Sequence, residues 1–71
     1  MNYIRENFIY LVKKEKSRNQ FAKKTRISIN TIKAILDKNS IPSLETLMKI
    51  KEIYNISLDD LVYKDLSKEN Y

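Results

Sequence analysis

From Ser17 to Leu36 the chain reads SRNQFAKKTRISINTIKAIL, and the side chains there that can do chemistry are hydrogen-bonding ones. Ser17, Gln20, Ser28, Asn30 and Thr31 offer hydroxyls and amides, while Arg18, Lys33 and their basic neighbours offer cations. The spacing predicts two short helices joined by a tight turn, with small polar and basic residues on the outer side of the second. Such groups bind and read rather than make or break bonds. Two helices in this arrangement form the unit that lays a helix in a DNA groove.

The rest of the chain offers no competing chemistry. Histidine is absent, which removes the commonest general base and zinc ligand. Cysteine is absent, so neither a disulfide nor a thiolate metal site can form. The acids are scattered, and no nucleophile–base pair or phosphate loop is evident. No enzyme activity, cofactor or metal is therefore expected. The 71 residues suffice for one small domain. A chain of this size buries roughly 60% of its unfolded surface, so packed helices must supply the stability. No apolar run approaches the ~20 residues of a membrane span. The N-terminal MNYIRENF lacks a basic region followed by an apolar stretch, so a cytoplasmic protein with no membrane partner is expected.

The net charge of +5 is unevenly placed. Residues 1–40 hold ten Lys or Arg against three Asp or Glu, and residues 41–71 hold four against six. A basic half and a mildly acidic half suit a protein that turns one side to an anion. A solvated lysine-rich surface is the plainer account of the same numbers, and Lys13, Lys14, Lys16, Lys23 and Lys24 fit it best.

Positioning the reading side chains requires several helices. Ile4, Phe8, Leu11 and Val12 form one apolar stripe on a helix over about 3–14, with Asn2 as its cap. Ser17 and Gln20 have the spacing of a capping box for a second helix ending near Thr25, with Phe21 and Ala22 turned inward. Arg26 and Ile27 form the turn, Ile27 plugging it from beneath. Ser28 caps a third helix to about Leu36 or Asp37. Its core face is Ile32, Ile35 and Leu36, and Ile29, Asn30, Lys33 and Asp37 lie on the other side with Thr31 beside them. After the loop from Lys38 to Pro42, Ser43 caps a fourth helix over about 44–54. It is expected to bury Leu44, Leu47, Ile50 and Tyr54, with Ile53 alongside, and to stop at Asn55. Ser57 begins a fifth helix with Leu58, Leu61 and Val62. Residues 1–63 read as the domain, and 64–71 as a tail that extends the fifth helix or frays.

The order of these signals resembles the Xre-type, phage-repressor-like (lambda-repressor-like) helix-turn-helix family over roughly residues 4–62. The resemblance is carried by Phe21-Ala22, Ile27-Ser28, Thr31-Ile32, Pro42 to Leu47 and Ile56 to Leu61. It implies an all-α, compact five-helix domain that binds operator DNA, usually as a dimer. Departures are also present. The chain has no glycine, whereas the family usually places one where Arg26 stands and another near Lys38. A frequent glutamate falls at Leu36, a common glutamine at Arg18, and a small core residue at Lys51.

By the same resemblance the third helix enters the major groove and its first turn reads base edges. Ser28, Ile29, Asn30 and Lys33 are then the candidate readers. Asn30 carries the donor–acceptor pair that suits adenine, Ile29 would pack on a thymine methyl, and Lys33 would reach guanine or phosphate. Arg18 is a candidate phosphate clamp, and Thr31, Lys38, Asn39 and Ser40 candidate grips on flanking phosphates. Each has a plainer role too, Ser28 as a helix cap above all. Two functions are carried forward. One is a sequence-specific double-stranded DNA-binding regulator, a repressor, pairing as a homodimer through Leu58, Val62, Tyr63 and Leu66. The other is a protein-interaction module of the same fold, an anti-repressor or antitoxin-like partner, motivated by the missing glycines, by Leu36, and by apolar residues expected outside at Ile29, Tyr63, Leu66 and Tyr71.

Overall fold

A computed structural model describes residues 2–69. Its order is α1 (Ile4–Lys14), α2 (Arg18–Thr25), α3 (Ile29–Asp37), α4 (Leu44–Tyr54) and α5 (Leu58–Tyr63), followed by a 3-10 turn, Leu66–Lys68. Each of α2 to α5 starts at a serine. The hydroxyls of Ser17, Ser28, Ser43 and Ser57 accept from the amides of Gln20, Thr31, Thr46 and Asp60 at 3.1–3.2 Å. Each bond satisfies one amide that the first helical turn leaves without a partner. The reciprocal half of the Ser17–Gln20 box does not form, and Gln20 is exposed. At α1 the capping residue is Tyr3, and Asn2 acts from one position outside it, its Oδ1 accepting from the Ile4 amide at 3.2 Å.

Among the described residues three adopt the left-handed region: Arg26, Asn39 and Asn55, at φ 62°, 59° and 54°. Arg26 and Asn55 end α2 and α4 at the expected places. The second glycine-like position falls on Asn39, not Lys38, whose φ is −116°. Asparagine tolerates this geometry, so Arg26 alone carries the steric cost in full.

The core gathers Phe8 and Leu11 of α1, Phe21 of α2, Ile32 and Ile35 of α3, Ile50 of α4, and Ile56, Leu61 and Leu66. Phe8 and Phe21 meet edge to face at 5.3 Å between ring centres, and Tyr54 stacks on Phe21 at 6.3 Å. Such ring pairs add about 0.5–1.5 kcal/mol beyond the area they bury. Ile27 is buried beneath the turn, as its position predicts.

Two inward-facing expectations fail. Leu44 is 67% exposed and Ile53 is also exposed, because the buried face of α4 runs through Thr46, Leu47 and Ile50. Leu66, expected outside, is fully buried. Its place follows from Asn7, a buried amide on α1. The Asn7 Nδ2 donates to the carbonyls of Leu61 at 2.8 Å and Lys64 at 2.6 Å, and its Oδ1 accepts from the Leu66 amide at 3.0 Å. The Tyr3 amide adds a bond to the Val62 carbonyl at 2.7 Å. These bonds fold residues 64–66 back onto α1. Tyr71, the other apolar residue expected outside in this segment, lies beyond the described residues.

Candidate nucleic-acid interface

The candidate readers are set by how α3 is pinned. Ile32 and Ile35 are buried and Leu36 is half-buried, so one side of the helix is clamped in the core. Asn30, Lys33 and Asp37 are thereby exposed on the other side. At the start of α3, Ser28 Oγ accepts from the Thr31 amide and donates to Thr31 Oγ1 at 2.9 Å. The two hydroxyls occupy each other and stiffen the first turn. The turn before it is held by buried Thr25, whose hydroxyl donates to the Phe21 carbonyl at 2.7 Å and accepts from the Ile27 amide at 3.3 Å. Thr25 escaped the sequence reading because a threonine at a helix end looks like any polar terminus.

Ile29 departs from expectation. It is half-buried and packs against the core instead of standing free. The first turn of α3 thus exposes Ser28 and Asn30, with Lys33 one turn on, and Ile29 shows only an edge.

The remaining candidates gather at the far end of α3. Lys38, Asn39 and Ser40 are all exposed, and the Ser40 amide donates to the Ala34 carbonyl at 3.1 Å, curling the loop over the helix end. Arg18, from the start of α2, is brought to the same end by Asp37. Its two Nη atoms donate to the two carboxylate oxygens at 2.9 and 3.0 Å, a bidentate pair. Pairing with Arg18 holds the Asp37 carboxyl below its ordinary range, with Lys33 and Lys38 adding to the effect, and pushes Arg18 up. Asp37 was legible as an outer residue of α3 but not as the partner of Arg18, since the two lie nineteen positions apart. Beside the pair is an open cleft of about 500 Å³ between α1, α2 and α3, where Ile9, Val12 and Leu36 meet Lys13, Lys16 and Arg18.

The residues expected to pair two copies do not make one surface. Leu66 is buried, Leu58 is half-buried against the core and Val62 is half-buried, while Tyr63 is 68% exposed. A different apolar set lies outside. Ile41, Leu44 and Met48, at spacings of three and four, are all exposed at the start of α4.

Among the described residues no group of acids, histidines or cysteines could hold a metal ion, and no helix is long and apolar enough to cross a membrane. A model of a helix-turn-helix family matches residues 9–61, from within α1 to within α5. No curated protein and no solved structure matches the chain.

Proposed function

Because the chain belongs to the helix-turn-helix family of DNA-binding regulators, we propose that it is a sequence-specific repressor that reads the major groove with α3. The observation that carries this reading is the pairing of a clamped side and an open side on one capped helix: Ile32 and Ile35 locked in the core, Asn30 and Lys33 free. A helix held this firmly presents its side chains in a fixed register, which base reading requires. Asn30 supplies the donor–acceptor pair suited to adenine, and Lys33 reaches guanine or phosphate. Ser28 is a further candidate reader beside them, and Thr31, Lys38, Asn39, Ser40 and Arg18 supply phosphate contacts, which set register without reading sequence. A homodimer on DNA would double the short site that one domain can read, with half-sites about one helical turn apart. The test is selection of bound sequences from random duplex DNA by the purified protein at near-physiological salt. A recovered short motif, above all a palindrome, is the expected result; recovery of none by the folded protein overturns the reading.

A second reading, a protein-interaction module of the same fold, is favoured by the exposed set Ile41, Leu44 and Met48. It predicts duplex binding without sequence preference, so the same selection decides between the two.

A further inference from the structure

We propose that Asp37 is an internal rival of the DNA backbone for Arg18, so that the protein engages duplex at this point by exchanging a carboxylate for a phosphate. This rests on the DNA-binding reading above. The bidentate geometry is its first support. Arg18 commits both of its Nη nitrogens to Asp37 at 2.9 and 3.0 Å. The planar guanidinium fork matches carboxylate and phosphate alike, so the two anions compete for the same edge of one side chain.

The placement of the two residues is the second support. Arg18 is the first residue of α2, where unpaired amides already give a positive end, and Asp37 is the last residue of α3, beside the negative end. Both charges oppose their own helix dipoles. Neither residue supports its helix; each is tolerated there because of the other. The pair is also open to exchange, since the side chains are 44% and 51% exposed. Exposed pairs contribute little to stability, so opening this one disturbs little of the fold.

The third support is what surrounds the carboxylate. Lys33 and Lys38 both act on Asp37 electrostatically, and both are candidate DNA contacts. A single acid therefore sits among three cations of the proposed interface and offsets part of their charge. While paired, Arg18 brings no net charge to DNA. The effect falls hardest on binding that depends on phosphates alone, which is non-specific binding.

The experiment titrates wild type, Asp37→Asn, Arg18→Gln and the double variant with a labelled random-sequence duplex over a range of salt concentrations. Asp37→Asn is expected to bind roughly five- to tenfold more tightly and to steepen the log–log salt dependence by about one unit, because Arg18 then meets phosphate without freeing a carboxylate that takes up a cation in turn. In the Arg18→Gln background most of the gain is expected to be lost, leaving only the smaller effect of Asp37 on Lys33 and Lys38. A gain that persists in full without Arg18 shows repulsion at a distance and overturns the exchange. Weaker or unchanged binding by Asp37→Asn overturns it as well, since the carboxylate would then be a support for Arg18 or a bystander. Asp37→Ser is the second variant should the first fail a thermal-unfolding check. If no variant binds duplex even at low salt, the DNA-binding reading falls and the exchange with it; binding by wild type separates that failure from failure of the exchange alone.

Discussion

At the scale of single residues, Arg26 and Arg5 each stand in a setting that costs free energy. Arg26 holds the left-handed turn at the end of α2, a conformation that costs a residue with a Cβ about 1–2 kcal/mol. Its side chain is exposed, and Lys49 bonds to its backbone carbonyl, not to the guanidinium. Arg26→Gly is therefore expected to raise stability by about 0.5–1 kcal/mol, the relieved strain outweighing the added chain entropy; a lower unfolding midpoint would contradict it. Arg5 is the counterpart on α1. Its Nη2 reaches the Leu36 carbonyl at 3.4 Å, and its Nε is buried without a hydrogen-bond partner. Position 36, whose carbonyl it reaches, is leucine, so the cation meets no acid there. Arg5→Met keeps the packed stem and removes the orphaned donor, so denaturant unfolding should show it as stable as wild type or more so. Asn30→Ala should lower specific affinity by about 1–3 kcal/mol at one base position. Unchanged selectivity in the duplex selection would remove Asn30 from the reading set.

At the scale of elements, the starts of α2 to α5 were legible and the joints between helices were not. Serine before a helical run is a local signal, and all four serines act as caps. The partners of Asn7, Arg18 and Glu15 are distant in sequence, and no local pattern announces them. Glu15 follows α1, and its Oε2 accepts from the Tyr54 hydroxyl of α4 at 2.7 Å and from Lys24 of α2 at 3.2 Å. Lys24 Nζ also lies 4.7 Å over the Tyr54 ring. One carboxylate thus ties three helices. The Tyr54 hydrogen bond first, and Lys24 next, hold Glu15 below its ordinary value of 4.5 against the opposing effect of burial. A carboxyl depressed in the folded state contributes stability that is present above its unfolded pKa and lost as pH falls through the folded one. Tyr54→Phe should therefore be less stable than wild type at neutral pH, with the gap narrowing as pH drops below about 4.5. A gap that stays constant with pH, followed by thermal unfolding, would show that the bond to Glu15 does not carry the difference. The same lack of local signal explains Leu44 and Leu66. Periodicity puts both on plausible core stripes or ends, but whether a stripe is covered depends on which neighbour crosses it.

At the scale of the whole molecule, the sequence's basic half coincides with the helices that form the candidate interface. Arg18, Lys33 and Lys38 all come from residues 1–40, while the acids Asp59 and Asp60 lie in the first turn of α5. Duplex affinity should fall steeply as salt rises whichever functional reading holds, because phosphate contacts release counterions in both. The fold was legible nearly in full from hydrophobic spacing and caps. The exposure of most candidate interface residues was legible, but the burial of Ile29 and the capture of Arg18 by Asp37 were not, since both are decided by packing between helices. The assembly expected through α5 is the least supported, with Leu66 inside the molecule. Asn7 has one more consequence. Its partners Leu61, Lys64 and Leu66 come 54 to 59 positions later. During synthesis the Asn7 amide of α1 bonds only water until those residues follow. A chain cut by a protease or stopped before Leu66 would keep the carbonyls of Leu61 and Lys64 but lose the bond from the Leu66 amide and the buried Leu66 side chain, so the last contact that closes the core waits on the end of the chain.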